Sequence, residues 1–204
     1  QNASCIFIRG NKEDYWLNRR KDQNCDWKSG NRSVMAMIYN YNSLNAKDLD
    51  FFETLPISQS IRFAGMEPVL ACHGTPFENQ KALLSEDLFV QKCEERYIIC
   101  GHTHMQGFVS DGKKKIINAG AVGVPLKSPK KTQYMILTSD GKDWKPEFLS
   151  LEYDVDTVIK EIHESGLWDA SPYWCRITEH LLDTGELPHG TVLNHVMKLN
   201  DYQD

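Results

Sequence analysis

The chain has 204 residues, enough for one domain with a substantial core or for two small ones. Hydrophobic residues make up 41% and charged residues 25%, and 23 Lys plus Arg against 28 Asp plus Glu leave a net charge of −5. That balance supplies no global basic field, which argues against nucleic acid as a partner. No apolar stretch approaches the ~20 residues of a membrane span, and the opening residues do not read as a signal peptide.

The first apolar run, residues 5–8 (CIFI), is of the buried-strand type and is closed by Gly10 and Asn11. A strand so near the start usually has partners before it. The sequence, which opens without Met, is therefore expected to be the C-terminal portion of a longer chain. Residues 12–18 can start a helix, with Asn11 as N-cap and Glu13 and Asp14 in the acidic first turn that the helix dipole favours. Residues 21–32 are polar and read as loop; 33–39 are apolar and ambiguous between helix and strand. Asn45 caps a short helix over 46–54, with Leu49 and Phe52 three apart, and Pro56 stops it. Residues 60–64 and 68–72 read as a hairpin with Gly65 in the turn, and the second run leads into HGTP.

A helix is expected over about 79–92, followed by a buried strand at 96–100 that leads into GHTH. Residues 107–110 and 114–117 pair across Asp111-Gly112, the strongest short hairpin signal in the chain. The cluster LKSPKK at 126–131 reads as a solvated loop. A second hairpin joins 133–138 to 145–153 across Asp140-Gly141. The character then turns helical: an amphipathic helix at 156–165 closed by Gly166, then helices near 173–183 and 190–199. Mixed strands and helices, then hairpins, then helices, point to an α+β fold with a partly antiparallel sheet. No GxGxxG follows a strand and no P-loop signature occurs, so dinucleotide and P-loop folds lack support. The six cysteines, at 5, 25, 72, 93, 100 and 175, form no CxxC pair. Cys72 and Cys100 end apolar runs and read as buried thiols, which fits a reducing, cytoplasmic setting.

Three places share one pattern: an apolar run ends, a glycine appears, and a metal-capable side chain sits beside it. They are Asn11 after IFIRG, His73 in VLACHG, and His102 and His104 in YIICGHTH. Loops after strand ends are where folds with parallel strands collect functional groups, and glycine lets backbone approach an ion or phosphate closely. Imidazole is the commonest protein metal ligand. Three histidines at two strand ends suit a pair of ions ~4 Å apart, whereas His163, His180, His189 and His195 read as ordinary core or surface residues.

With HGTP at 73–76, GHTH at 101–104 and NAGAVG at 118–123, the chain resembles the calcineurin-type metallophosphoesterases, most of all their small bacterial phosphodiesterase branch. The resemblance runs from about residue 6 to 153, and EYDVDTVIKEI resembles that branch's closing strand and helix. Each motif alone is weak; all three in order, each after a strand, are specific. The resemblance implies a four-layer α/β/β/α sandwich with metals at the strand ends. Residues 1–154 would form the metallophosphoesterase domain, with 155–204 a helical extension packed on it. It implies Asn11 as the amide ligand of a second metal, His73 and His102 as imidazole ligands of the same ion, and His104 as a ligand of the first. Such N and O donors suit two divalent ions, Mn, Fe, Ni, Zn or Co.

Two departures from the family pattern stand out. The Asp-x-His and Gly-Asp motifs that precede Gly-Asn are absent; two βα units of about 30 residues each, roughly 60 in all, would be needed upstream to hold them. The family's usual His after Gly-Asn is Lys12 here. Lysine can neutralise charge on phosphate but donates a proton poorly near neutral pH. Lys12 and His104 are the residues expected to act in catalysis, with Arg9 a weaker candidate cation.

The implied activity is hydrolysis of phosphodiesters or phosphomonoesters of small phosphorylated molecules by a two-metal activated hydroxide. The alternative is a catalytically weak scaffold for protein interaction on the same fold. Residues 15–41 are rich in aromatic and basic side chains. Trp16, Trp27 and Arg32 either stack on a base or hold phosphate, or belong to ordinary packing and surface. Gly120 and Gly123 are expected to serve positive φ or close packing.

Overall fold

The apolar runs that end in HGTP, GHTH and NAGAVG become three neighbouring parallel strands of one sheet. In the computed structural model, which describes residues 5–22, 27, 32–83 and 88–187, these are β2 (Val69–Cys72), β3 (Tyr97–Cys100) and β5 (Lys115–Asn118). They are preceded by β1 (Ser58–Ile61), and β4 (Gly107–Ser110) lies between β3 and β5 in sequence. Both pair antiparallel at the sheet edges, giving the order β1-β2-β3-β5-β4. A second sheet is the hairpin of β6 (Lys131–Ser139) and β7 (Trp144–Glu152), paired from Lys131↔Glu152 to Ser139↔Trp144.

Strands buried on both faces read as continuous apolar runs, and VLAC, YIIC and KIIN do so because each face has a cover. One face carries Leu70, Cys72, Ile98, Cys100 and Ile116 and packs on Val90 of the short helix α4 (Leu88–Lys92). The other carries Val69, Tyr97 and Ile117 and packs on Trp144, Met135 and Leu137 of the hairpin. The fold is therefore the expected α+β type, with two sheets packed face to face and helices outside.

Polar bonds fix the approach of the two sheets. The Tyr97 hydroxyl donates to Asp143 Oδ1 at 2.5 Å and accepts from Trp144 N at 3.2 Å, and Lys115 Nζ reaches both Tyr97 Oη and Asp143 at 3.1 and 3.2 Å. These bonds also hold the Asp143 carboxyl below its usual pKa. Trp144 Nε1 donates to the Glu67 carbonyl at 2.8 Å, so the indole is both core and clasp.

The remaining helices gather where the parallel strands end. α1 (Asn11–Lys21) and α3 (Ala46–Thr54) pack through a Trp16–Phe52 stack, ring centroids 5.8 Å apart. Arg20 adds exposed pairs to Asp50 and Glu53, worth little beside that stack. The ambiguous 33–39 run lies within α2 (Arg32–Ser43); twelve residues exceed the usual strand length. After β7 come α5 (Val155–Glu164), α6 (Leu167–Ala170) and α7 (Pro172–Thr184), and α2 packs on the last two. The Tyr39 hydroxyl donates to the Ser165 carbonyl, and Gly166 at φ +83° closes α5 as its spacing suggests. α7 is tied back by Lys127 N to Gly185 O and Lys130 N to Leu182 O, while Lys130 Nζ pairs with Asp183, so LKSPKK is a docked, exposed turn. The expected helix at 190–199 lies outside the described residues.

Three expectations are corrected. Residues 5–8 are not a strand: no described strand takes them into a ladder, and Ile6 and Phe7 are exposed. An apolar run makes a strand only when a neighbour satisfies its backbone groups. Among the described residues, the helix expected over 79–92 forms only as α4. Ahead of it, Thr75 N donates to Glu78 O and Thr75 Oγ1 accepts from Glu78 N, while buried Asn79 donates to Asp14 Oδ2 at 2.8 Å, which commits the chain to a turn. Gly10, not Asn11, occupies the cap of α1; Glu13 accepts from Gly10 N at 2.8 Å, and Asn11 becomes the first helical residue.

No helix among the described residues is long and apolar enough to cross a membrane. The described cysteines are free thiols, with Cys72, Cys100 and Cys175 buried; burial pushes the Cys100 thiol up to about 11.

Candidate metal centre

Because β2, β3 and β5 are parallel, the loops after them leave the same end of the sheet, the place where such sheets bind ligands. His73 follows β2, Gly101 to His104 follow β3, and the NAGAVG turn begins at Asn118, the last residue of β5. Gly101 N donates to His73 O at 2.9 Å, which joins the first two loops. Asn118 joins the third: its Nδ2 donates to Gly101 O at 2.6 Å and Thr103 Oγ1 at 2.9 Å, while its Oδ1 accepts from Gly120 N at 2.9 Å. Gly120 has φ +83°, and a Cβ there would press on Gln133 and stand 2.7 Å from Gln106 Cγ, so both expected reasons for glycine apply. Gly123 has neither a positive φ nor a close neighbour, which corrects the expectation for it. Gly74 is the unforeseen counterpart: a Cβ there would run into the Lys81 carbonyl and lie 2.9 Å from those of Glu78 and Asn79.

Freed from capping, the Asn11 side chain meets the histidines. Its Oδ1 is 3.1 Å from His73 Nε2, and the same Nε2 is 3.3 Å from His102 Nδ1. One proton on that nitrogen can reach Asn11 Oδ1 and His102 Nδ1 only as a shared, bifurcated donor. A cation facing all three lone pairs would satisfy them directly. Donor atoms each about 2.1 Å from an ion and roughly at right angles lie about 3 Å apart, which these spacings match. The set is partial: among the described residues, no group of three or more His, Cys, Asp or Glu side chains forms a metal site.

His104 lines the same cleft as Asn11, His73 and His102. Its Nδ1–H donates to the Val124 carbonyl at 3.0 Å, leaving Nε2 with its lone pair free of that bond. Both His102 (φ 61°) and His104 (φ 59°) hold left-handed backbone, uncommon outside glycine and found where a structure over-determines a site. His73 is pushed down to about 4, mainly by burial, then by the charges of His102 and His104, against the opposing effect of Asp14. His102 is lowered by burial, His104 and Lys12 in that order. The His73 imidazole is thus neutral at neutral pH, the form that ligates.

Lys12 lines the cleft beside Asn11, with Nζ 5.5 Å from the Tyr15 ring centre and 6.0 Å from that of Trp174. Desolvation lowers its pKa despite the adjacent Glu13. Arg9 is otherwise engaged, its Nε 2.8 Å from Asp14 Oδ1, so the weaker candidate cation is a structural one. Trp16 faces a small pocket next to the cleft, Trp27 packs edge-on against Tyr41, and the Arg32 side chain lies outside the described residues. The residue missed by sequence is Trp174, which lines both the cleft and that pocket. Its spacing gave no separate signal, because Trp174 stands seven residues before buried Leu181 and so lies nearly in line with it on α7.

A mixed α+β fold with histidines delivered by parallel strand ends to one cleft defines a phosphoesterase-type protein. The family model for the calcineurin-like phosphoesterase superfamily domain matches residues 1–142, and the chain belongs to that superfamily. An uncharacterized protein of Methanocaldococcus jannaschii is 25% identical over 194 residues, covering 85% of this chain and 74% of the relative. In fold, the chain is similar to a hypothetical protein of Pyrococcus horikoshii (TM-score 0.70, 14% identity, 92% of this chain and 75% of that one). It is also similar to a metallophosphoesterase of Sphaerobacter thermophilus (TM-score 0.63, 18% identity, 88% and 76%).

Proposed function

We propose that the protein is a metal-dependent phosphoesterase that hydrolyses phosphodiesters or phosphomonoesters of small molecules. The convergence of three lone-pair atoms, Asn11 Oδ1, His73 Nε2 and His102 Nδ1, at 3.1 and 3.3 Å, carries this reading. In it Asn11, His73 and His102 hold one divalent ion and His104 contributes to a second, with Mn, Fe, Ni or Zn matching the donor set. When bound, such a pair supplies Lewis acidity and activates water for attack at phosphorus.

The chain's own residues do the rest. Burial keeps the His73 lone pair free of protons, and the Val124 carbonyl fixes the His104 tautomer. Asn118 holds the GHTH loop against the β5 turn so that the rings keep their places. Lys12, the one Lys or Arg lining the cleft among the described residues, sets its ammonium against the phosphoryl charge. The test is metal content joined to activity. For the full-length protein, the expected result is about two ions per chain by elemental analysis and Mn-dependent hydrolysis of bis-p-nitrophenyl phosphate that His104→Ala abolishes. Little bound metal and no hydrolysis sensitive to the variant would overturn the reading.

A further inference from the structure

Beside the histidine cleft lies a smaller pocket of about 130 Å³, lined by Lys12, Trp16, Ala36, Met37, Asn40 and Trp174. Lys12 and Trp174 also line the cleft, so the two spaces meet at those side chains. A cavity of about 150 Å³ takes a benzene-sized ring, and this pocket has the walls for one. Trp16 is held in plane by its stack on Phe52, interplanar angle 28°. Trp174 keeps 42% of its surface exposed, so its ring is open to a ligand. Asn40 brings an amide that can both donate and accept, and Trp16 Nε1 is a buried donor with no partner among the described residues. Among the described residues no carboxylate lines the pocket, and the Lys12 ammonium there opposes a cationic group.

We propose that this pocket binds a flat, uncharged aromatic ring of the substrate, so that the protein acts on phosphoesters carrying such a ring, a nucleobase or a simple aryl group. The inference rests on the phosphoesterase reading for the phosphate end alone. The ring lies between Trp16 and Trp174, Asn40 meets its polar edge, and Lys12 stands where ring pocket and phosphate cleft join. Stacking of this kind tolerates different rings because each offers a π-face.

Equilibrium binding to the full-length protein in EDTA tests this without turnover, read by quenching of tryptophan fluorescence and confirmed by calorimetry. The probes are adenosine monophosphate, phenyl phosphate and glycerol 3-phosphate. Both ring-bearing probes, or the nucleotide alone, should bind about tenfold or more tighter than glycerol 3-phosphate. Equal binding of the first two marks an aryl pocket, and a preference for the nucleotide marks a base pocket. Trp174→Ala should remove that advantage and Trp174→Phe should restore most of it, a rescue that a merely structural role would not require. Glycerol 3-phosphate binding as well as the ring-bearing probes, with Trp174→Ala without effect, would overturn the inference. Ring binding that survives while Mn-dependent hydrolysis is absent would sink the phosphoesterase reading and leave this one standing.

Discussion

The histidine wall of the cleft and the aromatic wall of the pocket beside it are built by different means. The histidine wall is backbone-determined: parallel strands fix where the loops begin, Asn118 ties the loops together, and His102 and His104 hold left-handed φ values. The aromatic wall is assembled from helices distant in sequence, Trp16 on α1 and Trp174 on α7, positioned by side-chain packing. A wall set by backbone has little freedom to adjust to a new ligand, whereas a wall set by packing tolerates substitution. Ion chemistry needs the first property and accommodation of different substrates needs the second.

The comparison breaks most sharply at the histidines. His73→Ala removes the nitrogen that meets both Asn11 and His102. Its loss in Mn-dependent hydrolysis should exceed the roughly 100-fold upper end seen for changes around a metal's ligands. Steady-state assays beside metal titration check this. An equal change on the aromatic wall, Trp174→Ala, should leave metal content intact.

Next in size is Gly74→Ala. The three carbonyls over Gly74 are backbone and cannot swing away as a side chain would. Overpacking should cost about 1–3 kcal/mol in urea unfolding, with the turn at residues 73–81 and the His73 position disturbed together. Smaller again is Asn118→Ala, which leaves the Gly101 carbonyl and Gly120 N–H without their side-chain partner. Metal affinity by calorimetry should fall about 10-fold or more, as for other residues that orient ligands, while secondary structure by circular dichroism stays unchanged.

How far the sequence reveals these walls follows from the same contrast. VLAC-HG and YIIC-GHTH couple strand and histidine within a few residues, so His73, His102 and His104 are visible as a group before any coordinates, whereas Asn11 follows a run that forms no strand and is marked only by its Gly-Asn pair. NAGAVG likewise announces the turn that Asn118 and Gly120 make. The ring pocket is not announced, because Trp16 and Trp174 meet only after the chain has folded through both sheets; local pattern holds no record of such a contact. The apolar run at 5–8 failed for a related reason, since a strand is a property of a pair. The turn at 78–81 was hidden because what settles it, the Asn79–Asp14 bond, lies 65 residues apart in sequence.

The smallest expected effect concerns the histidine wall without metal. His73 falls from 6.5 to about 4 on folding, chiefly through burial. Between those values the unfolded chain binds a proton at this site that the folded chain refuses. Stability of the metal-free protein should therefore be fully present above pH 6.5, decline as pH drops toward 4, and lose nothing further from this group below that. Carboxylates such as Asp143, also held low, add their own decline at the acid end. The difference between wild type and His73→Gln isolates the histidine: urea midpoints in EDTA should converge as pH falls from 7 to about 4. Midpoints that stay parallel would mean that His73 takes up its proton in the folded state as readily as in the unfolded one. The ring would then be open to water, and burial would not be what keeps the imidazole of the proposed ion site neutral.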